Sequence, residues 1–172
     1  MDFFLSYNIG GVIKLKKIIL NNFILEEFNE ENKDYFNIIK KFDMDEQINK
    51  YIIATEDSFS DIVDYYMLSN DDTIYNKLYL VKSLDNKVIG SLELDGVMNN
   101  LYINYCILKK YRNNGYCTRL LREITMYLLR EVKSISLLIK EDNEKSKKIA
   151  LKNGYNSVGY DEYGFYKYQI NS

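Results

Sequence analysis

The stretch from Leu101 to Arg130 constrains the fold more than any other part of this sequence. Residues 101–108 are mostly apolar and aromatic and predict a strand, a basic polar loop follows, and a helix starts at about Gly115. This helix has one apolar face, formed by Leu120, Leu121, Ile124, Tyr127 and Leu128. A strand that leads directly into such a helix needs a sheet on which the helix can pack, so an α/β or α+β class is expected.

The rest of the chain carries the same two patterns. Strands are expected at residues 24–29, 76–83, 87–94, 101–108, 135–139, 155–160 and 164–170. Helices are expected around residues 35–42, 59–67, 115–130 and 143–153. Asp57 or Ser58 would cap the second helix and Asn143 the last one, which ends at Gly154. No repeat or linker interrupts this order, so we expect one domain over residues 21–172, preceded by an N-terminal extension or extra strand at residues 1–20.

The complete absence of histidine excludes several chemistries at once. A Ser-His or Cys-His nucleophile pair cannot form, and neither can a His-ligated zinc site. Any proton transfer must therefore use a carboxylate, tyrosine, lysine, a thiol, a chain terminus or water. The two cysteines, Cys106 and Cys117, have the spacing of neither a metal site nor a disulfide framework. We expect no metal and a reducing, cytoplasmic compartment.

The charge distribution indicates which kinds of partner the protein can bind. The first 20 residues have the wrong order of charge for a signal peptide and are too short and polar to span a bilayer, so no membrane partner is expected. The net charge of −2 argues against a nucleic-acid surface. Acids cluster at residues 56–72 and bases at 109–133, so one part of the molecule could contact a cation and another an anion. Two ordinary solvated faces are the alternative.

The loop at residues 105–118 predicts an anion site. A loop that feeds a helix presents free backbone N–H groups and the positive end of the helix dipole, which suit a phosphate or pyrophosphate. Gly115 allows close approach to the backbone, Cys117 is small, and Arg112 adds positive charge. The loop is neither a P-loop nor a dinucleotide fingerprint, because Gly115 stands alone without a Gly-Lys-Ser/Thr triplet. An ordinary strand-to-helix turn on a basic surface is the alternative.

Two motifs resemble those of the GNAT acetyltransferase superfamily. Arg112-Asn-Asn-Gly-Tyr-Cys117 resembles its Arg/Gln-x-x-Gly-x-Gly/Ala pyrophosphate loop, with a cysteine where glycine or alanine is usual. The segment from Asn143 to Tyr155 resembles its Asn-x-x-Ser-x-x-x-x-x-Lys-x-Gly-Phe signature. Ser146 together with Ala150 looks like the branch that holds the N-terminal acetyltransferases of ribosomal proteins. The resemblance implies a mixed, mostly antiparallel central sheet of about six to seven strands with helices on both faces.

The resemblance also implies acetyl-CoA as acetyl donor and a set of residues that bind it. The pyrophosphate would lie on the loop amides, and the pantetheine would run along the preceding strand towards the start of the last helix. The residues implied are Cys106, Ile107, Leu108, Arg112, Asn113, Asn114, Gly115, Tyr116, Cys117, Thr118, Asn143 and Ser146. A backbone N–H near Cys106 or Ile107 would polarise the reacting carbonyl.

Catalysis of acetyl transfer needs a base, because amines are mostly protonated at neutral pH. Glu93 is the first candidate and Asp95 the second, although both could be ordinary exposed acids. Many family members use a tyrosine of the last helix as the acid, but Ala150 occupies that position here, so Ser146 is the expected substitute. Tyr155 is a further candidate acid, with core packing as its alternative.

The function expected from these features is an N-acetyltransferase that acts by direct transfer. The acceptor is a primary amine: a protein N-terminus, an aminoglycoside, a polyamine or another small amine. A catalytically degenerate CoA-binding or protein-interaction module is one alternative, supported by the missing tyrosine at position 150. A tRNA-acetylating toxin is another, disfavoured by the acidic isoelectric point near 5.3. The sequence does not determine the oligomeric state, and a homodimer is one possibility because relatives often dimerise.

Overall fold

Eight strands lie edge to edge in one sheet of the computed structural model, which describes residues 7–9, 12–14, 17–51, 58–68, 76–97 and 99–172. The strands of the described residues are β1 (Tyr7–Ile9), β2 (Val12–Lys14), β3 (Lys17–Ile19), β4 (Phe23–Glu27), β5 (Lys77–Ser83), β6 (Val88–Val97), β7 (Asn100–Ile107), β8 (Ser134–Ile139), β9 (Asn156–Tyr160) and β10 (Tyr166–Asn171). The helices there are α1 (Tyr35–Asp43), α2 (Glu46–Tyr51), α3 (Phe59–Leu68), α4 (Tyr116–Leu128) and α5 (Glu144–Lys152).

The strand order of the large sheet is β3-β4-β5-β6-β7-β8-β10-β9, and β1 pairs with β2 in a separate hairpin. All neighbours in the large sheet are antiparallel except β7 and β8. This confirms the mixed, mostly antiparallel class, but the expected six to seven strands is too low. The additional strand is β3, which has three residues and one buried side chain, Ile18, and is too short to show a periodic pattern.

Helices cover both faces of the sheet, as expected. Along β5, Leu78 and Leu80 belong to one buried cluster while Tyr79 and Val81 belong to the other. Helices α1, α2 and α3 cover the first side, which we call the α1–α3 face. Helices α4 and α5 cover the second side, the α4–α5 face. The period-two alternation of strand side chains thus builds two cores, one on each face.

The helix caps follow the local sequence. Ser58 caps α3, because its hydroxyl accepts from the Asp61 amide at 3.3 Å while the Ser58 amide donates to the Asp61 carboxylate at 2.7 Å. Asp57, the other candidate cap, lies outside the described residues. Asn143 caps α5 as predicted, and Gly154 follows that helix with φ +85. Helix α2 was not predicted, because it has six residues and one buried side chain.

The parallel pair β7 and β8 separates part-way along its length. Their register runs from Asn100 opposite Ser134 to Tyr102 opposite Ser136 and then ends, although β7 continues to Ile107 and β8 to Ile139. Their outer edges stay paired over these residues, β7 with β6 and β8 with β10. A gap therefore opens between residues 103–107 and 137–139, where the two strands no longer pair with each other.

Two further properties concern the described residues alone. None of their helices is long and apolar enough to cross a bilayer. Among them, no three His, Cys, Asp or Glu side chains lie close enough together to hold a metal ion.

Candidate active site

The loop between β7 and α4 leaves backbone N–H groups free at the helix start. After a short 3₁₀ turn at Lys109–Tyr111, the chain reaches Gly115, which is the N-cap of α4 with φ +72. Glycine has no side chain with which to cap the first turn, so the amides there lack a partner from the N-cap. Asn113 also has a positive φ of 64. Successive turns of this kind bind anions, so the loop suits a phosphate group.

Space is not the reason for glycine at position 115. A β-carbon built there would meet one atom within 4 Å, the Arg119 Nη1 at 3.8 Å. The left-handed backbone is the reason, because residues with a β-carbon adopt it at a cost. The Arg119 guanidinium stacks over the Tyr116 ring at 5.0 Å and donates to the Asn114 carbonyl at 3.1 Å, which places a cation beside the loop.

Arg112 bridges the loop to α2. Its Nη2 donates to the Asp45 carboxylate at 2.7 Å, its Nη1 to Gln47 at 3.0 Å and its Nε to the Ile107 carbonyl at 2.7 Å. Burial opposes the charged form of Asp45, but bonds from Arg112 and from the Lys109 amide outweigh it and hold the pKa of Asp45 below its ordinary value. The positive charge of Arg112 is thus already paired, and its part in the site is to fix the start of the loop.

Asp45 was missed by the sequence analysis. Its Oδ1 accepts from the Gln47 and Ile48 amides and so caps α2, while its Oδ2 holds Arg112 and the Lys109 amide. An aspartate just before a helix is a local signal for an N-cap, but α2 is too short to be recognised in the sequence, so the cap was not predicted either. The contact to Arg112 spans 67 positions and has no local signal.

An open groove of about 680 Å³ lies next to the loop, between α1, α2 and the end of β7. Its walls are rich in lysine and carry few acids. The lining residues that bear a positive charge are Lys41, Lys109, Lys110, Arg112 and Lys145. Such a groove suits an elongated anionic ligand.

A second, much smaller cavity of about 30 Å³ lies in the gap between β7 and β8. Tyr105, Asn143 and Ser146 line it together with residues of both strands. The Asn143 side chain accepts from the Ser146 amide at 3.2 Å, which fixes both residues at the start of α5. The fold therefore brings the two predicted residues of the last helix to the gap in the sheet.

Strand alternation decides which backbone groups of β7 face the gap. The Leu108 amide donates to the Ile89 carbonyl at 2.9 Å, on the β6 side. The Cys106 carbonyl also faces β6, because a β-carbon built on Gly90 would meet it at 2.0 Å. Residues on a strand alternate between its two neighbours, so the backbone groups of Tyr105 and Ile107 face the gap. Of the predicted pair Cys106 and Ile107, the structure turns Ile107 towards a ligand in the gap.

Glu93 is buried on β6, opposite Asn104 of β7. Its Oε2 accepts from the Asn104 side chain at 3.3 Å, and its Oε1 has no partner among the residues described. Burial raises the pKa of Glu93 to about 7; the bond from Asn104 opposes the shift and the charge of Asp95 adds to it. A carboxyl that titrates near neutrality can take up and release a proton at working pH.

The fold and the motif-bearing segments are those of one known family. A family model described as an acetyltransferase (GNAT) domain matches residues 22–156. The chain belongs to the GNAT acetyltransferase family. It is therefore an acyltransferase of the acetyltransferase class. No curated protein matches the chain.

Solved structures show the same GNAT fold at low sequence identity. A GNAT acetyltransferase from Bacillus anthracis is 19% identical with a TM-score of 0.70, and the match covers 90% of this chain and 98% of the other. Spermidine N-acetyltransferase from Vibrio cholerae, crystallised with CoA and spermine, is 16% identical with a TM-score of 0.71 over 87% and 95% of the two chains. RimL, a ribosomal L7/L12 α-N-protein acetyltransferase in complex with CoA, is 14% identical with a TM-score of 0.67 over 88% and 94%.

Two other predicted positions of this GNAT domain, Tyr155 and Ala150, lie in its core, and a third, Cys117, is half-buried against it. Tyr155 is 1% exposed and its hydroxyl shares a hydrogen bond of 2.7 Å with Thr125, which supports packing rather than acid catalysis. Ala150 is fully buried. Burial raises the pKa of Cys117 to about 11 against the opposing charge of Arg112, which supports a small packing side chain.

Proposed function

We propose that this GNAT domain transfers an acetyl group from acetyl-CoA to the primary amine of a cationic acceptor, with Glu93 as the base. The observation that carries the proposal is the burial of the Glu93 carboxyl on β6, against Asn104 that lines the gap cavity, with one oxygen unpaired and a pKa of about 7. The bound donor supplies the acetyl group as an activated thioester. Glu93 accepts the proton that the acceptor ammonium must lose, which an ordinary carboxyl would do poorly at neutral pH.

The residues of the site fit the parts of acetyl-CoA. The uncapped first turn of α4, reached through Gly115, would hold the pyrophosphate on the amides of residues 113–118. The inner edge of β7, which has no strand partner there, would bind the pantetheine as a neighbouring strand would, through the Tyr105 backbone and the Ile107 amide, since the Ile107 carbonyl already accepts from Arg112. The Ile107 amide faces the gap and could also donate to the reacting carbonyl oxygen. Asn143 and Ser146 close the end of the gap.

The acceptor would approach from the α1–α3 face. Glu93 lies there with Asp95 and with Tyr66 of α3, whose hydroxyl pKa is raised by burial and by the charges of both carboxylates. Two carboxylates and a tyrosine suit an amine that carries positive charge. Polyamines, aminoglycosides and protein N-termini meet that requirement, and all three types occur among the acceptors of similar folds.

A catalytically inert CoA-binding module is the second candidate. Its one supporting observation is Ala150, which leaves the last helix without the tyrosine that many relatives use. Against it stands the buried Glu93 with its unpaired Oε1, since burying such a carboxyl opposes folding and a catalytic role accounts for its presence there.

Calorimetric titration with acetyl-CoA and with CoA, followed by a thiol-release assay, tests the proposal. The panel of amines contains spermidine, an aminoglycoside and a peptide with a free N-terminus, and an N-acetylated peptide is the matched negative control. We expect micromolar binding of acetyl-CoA and thiol release with at least one free amine. Binding without release from any amine would favour the inert module. Absence of binding would contradict both.

A further inference from the structure

The Tyr105 hydroxyl is buried at the β7–β8 gap and makes no hydrogen bond of ordinary geometry with the described residues. Buried hydroxyl groups nearly always have a partner, because leaving one unpaired opposes folding. The position of Tyr105 at the gap therefore suggests that its hydroxyl has a role in the site. None of the roles assigned above uses this side-chain hydroxyl.

The surroundings of this hydroxyl restrict what it can do. Burial raises the pKa of Tyr105 well above its ordinary value, Cys117 and Tyr155 add to the shift, and Ser146 opposes it as a hydrogen-bond partner of the charged form. Tyr105 therefore keeps its proton at every working pH and acts as a hydrogen-bond donor. The Ser146 hydroxyl, which lines the same cavity, is a group able to accept from it.

Ser146 is held in a defined place. Its amide donates to the Asn143 side chain in the first turn of α5, so its backbone cannot shift freely. A serine hydroxyl both accepts and donates. When Tyr105 donates to the Ser146 oxygen, directly or through one water in the cavity of about 30 Å³, the serine proton is left to point into the gap.

We propose that Tyr105 is a positioning residue for Ser146. Its hydroxyl orients the serine so that the serine proton is offered to the sulfur of CoA bound in the gap. The pair thereby supplies, from β7 and α5, the hydrogen bond that Ala150 cannot make. No covalent step is involved. The inference rests on the proposed function in that CoA must lie in the gap, but it does not depend on which amine is the acceptor.

The test is the pKa of the CoA thiol when CoA is bound, followed by ultraviolet absorbance of the thiolate across a pH series. The proteins are the wild type, Tyr105→Phe, Ser146→Ala and the double variant. Tyr102→Phe is the matched control, since Tyr102 is also on β7 but its hydroxyl accepts from Lys167 at 3.0 Å on the other face.

We expect the bound thiol pKa to rise by about half a unit to one unit in each single variant. The double variant should show no more than the larger single effect, because both changes remove the same interaction. Tyr102→Phe should match the wild type. The kcat for an accepted amine should fall about tenfold in Tyr105→Phe, with unchanged affinity for acetyl-CoA.

Two results would overturn the inference while leaving the proposed function intact. One is an unchanged thiol pKa in Tyr105→Phe; the other is an additive effect in the double variant. A wild type that binds CoA but acetylates no amine would contradict the proposed function. The thiol pKa of CoA bound to the wild type and to the variants would still test the role of Tyr105. A wild type that does not bind CoA contradicts both. Thermal unfolding checks that Tyr105→Phe is folded.

Discussion

Glu93 and Tyr105 lie on neighbouring strands and face opposite sides of the sheet, and each has a buried oxygen without a partner among the described residues. Burial is the main cause of the raised pKa of both. The consequences are opposite, because the two groups start from different ordinary values. The pKa of the carboxyl is brought to about 7, so it becomes a base at neutral pH. The pKa of the phenol is moved further from neutrality, so its hydroxyl stays protonated and able to donate a hydrogen bond. The same desolvation thus produces an acceptor of protons on one face and a permanent donor on the other.

The two faces also differ in how they are attached to the loop before α4. The α4–α5 face contributes Gly115 and Ser146 directly. The α1–α3 face is connected to the loop through Asp45 and Arg112. Variants on the α1–α3 face should therefore change proton transfer or loop position, and variants on the α4–α5 face should change binding of the donor or its thiol.

The largest effect is expected from Glu93→Gln. Removing the base should lower kcat about 100-fold or more, while acetyl-CoA affinity stays unchanged because the α4–α5 face is intact. Steady-state thiol release and calorimetry measure the two quantities. Glu131→Gln, an exposed acid beyond α4, is the control and should behave as the wild type. A similar fall in kcat for Tyr105→Phe as for Glu93→Gln would break the distinction between the faces.

The pH dependence of stability comes next. In the folded state the pKa of Glu93 is about 7, above its ordinary value of 4.5, so between these values the folded protein holds a proton that the unfolded chain releases. The free energy of unfolding should then fall as pH rises through this range, on the order of 1–3 kcal/mol. Glu93→Gln should lack this fall. Urea unfolding of both proteins at about pH 4 and about pH 8 measures this fall. If the free energies of unfolding of the wild type and Glu93→Gln differ by the same amount at both pH values, the burial of the Glu93 carboxyl is contradicted.

Gly115→Val should lower acetyl-CoA affinity at least about tenfold, because a β-branched residue at φ +72 distorts the helix start that presents the amides. Gly164→Val is the matched control: Gly164 has φ +82 and open space around it, and it belongs to the β9–β10 turn rather than to the loop before α4. Both variants should lose about 1–2 kcal/mol of stability, but Gly115→Val alone should lose binding. Equal affinity of the two variants would remove the loop from the site.

Asp45→Asn should change acetyl-CoA affinity less than Gly115→Val does. Loss of the carboxylate charge loosens Arg112 and the start of the loop, so we expect acetyl-CoA affinity to fall about threefold and stability by about 1–3 kcal/mol. Asp85→Asn, which removes an exposed partner of Lys87, is the control and should change neither. Unchanged affinity in Asp45→Asn would mean that the α1–α3 face does not help to position the loop.

The sequence predicted features with a local cause. The helix with the apolar face at α4, the caps Ser58 and Asn143, and Gly154 after α5 all depend on neighbouring residues, and the structure has each of them. Helix α2 and strand β3 are too short to show a period. The burial of Glu93 and the isolated hydroxyl of Tyr105 depend on chain segments far away, and neither has a local signal.

The separation of β7 and β8 gives this sheet an edge in its interior. The Ile107 amide lies in the middle of eight strands, yet it has no neighbouring strand on one side. In the free protein it should exchange its hydrogen with deuterated solvent as an outer strand does, far faster than the amides that β7 shares with β6. A ligand that fills the gap would slow that exchange. Hydrogen exchange at this one strand would thus report occupancy of the site without any acceptor present.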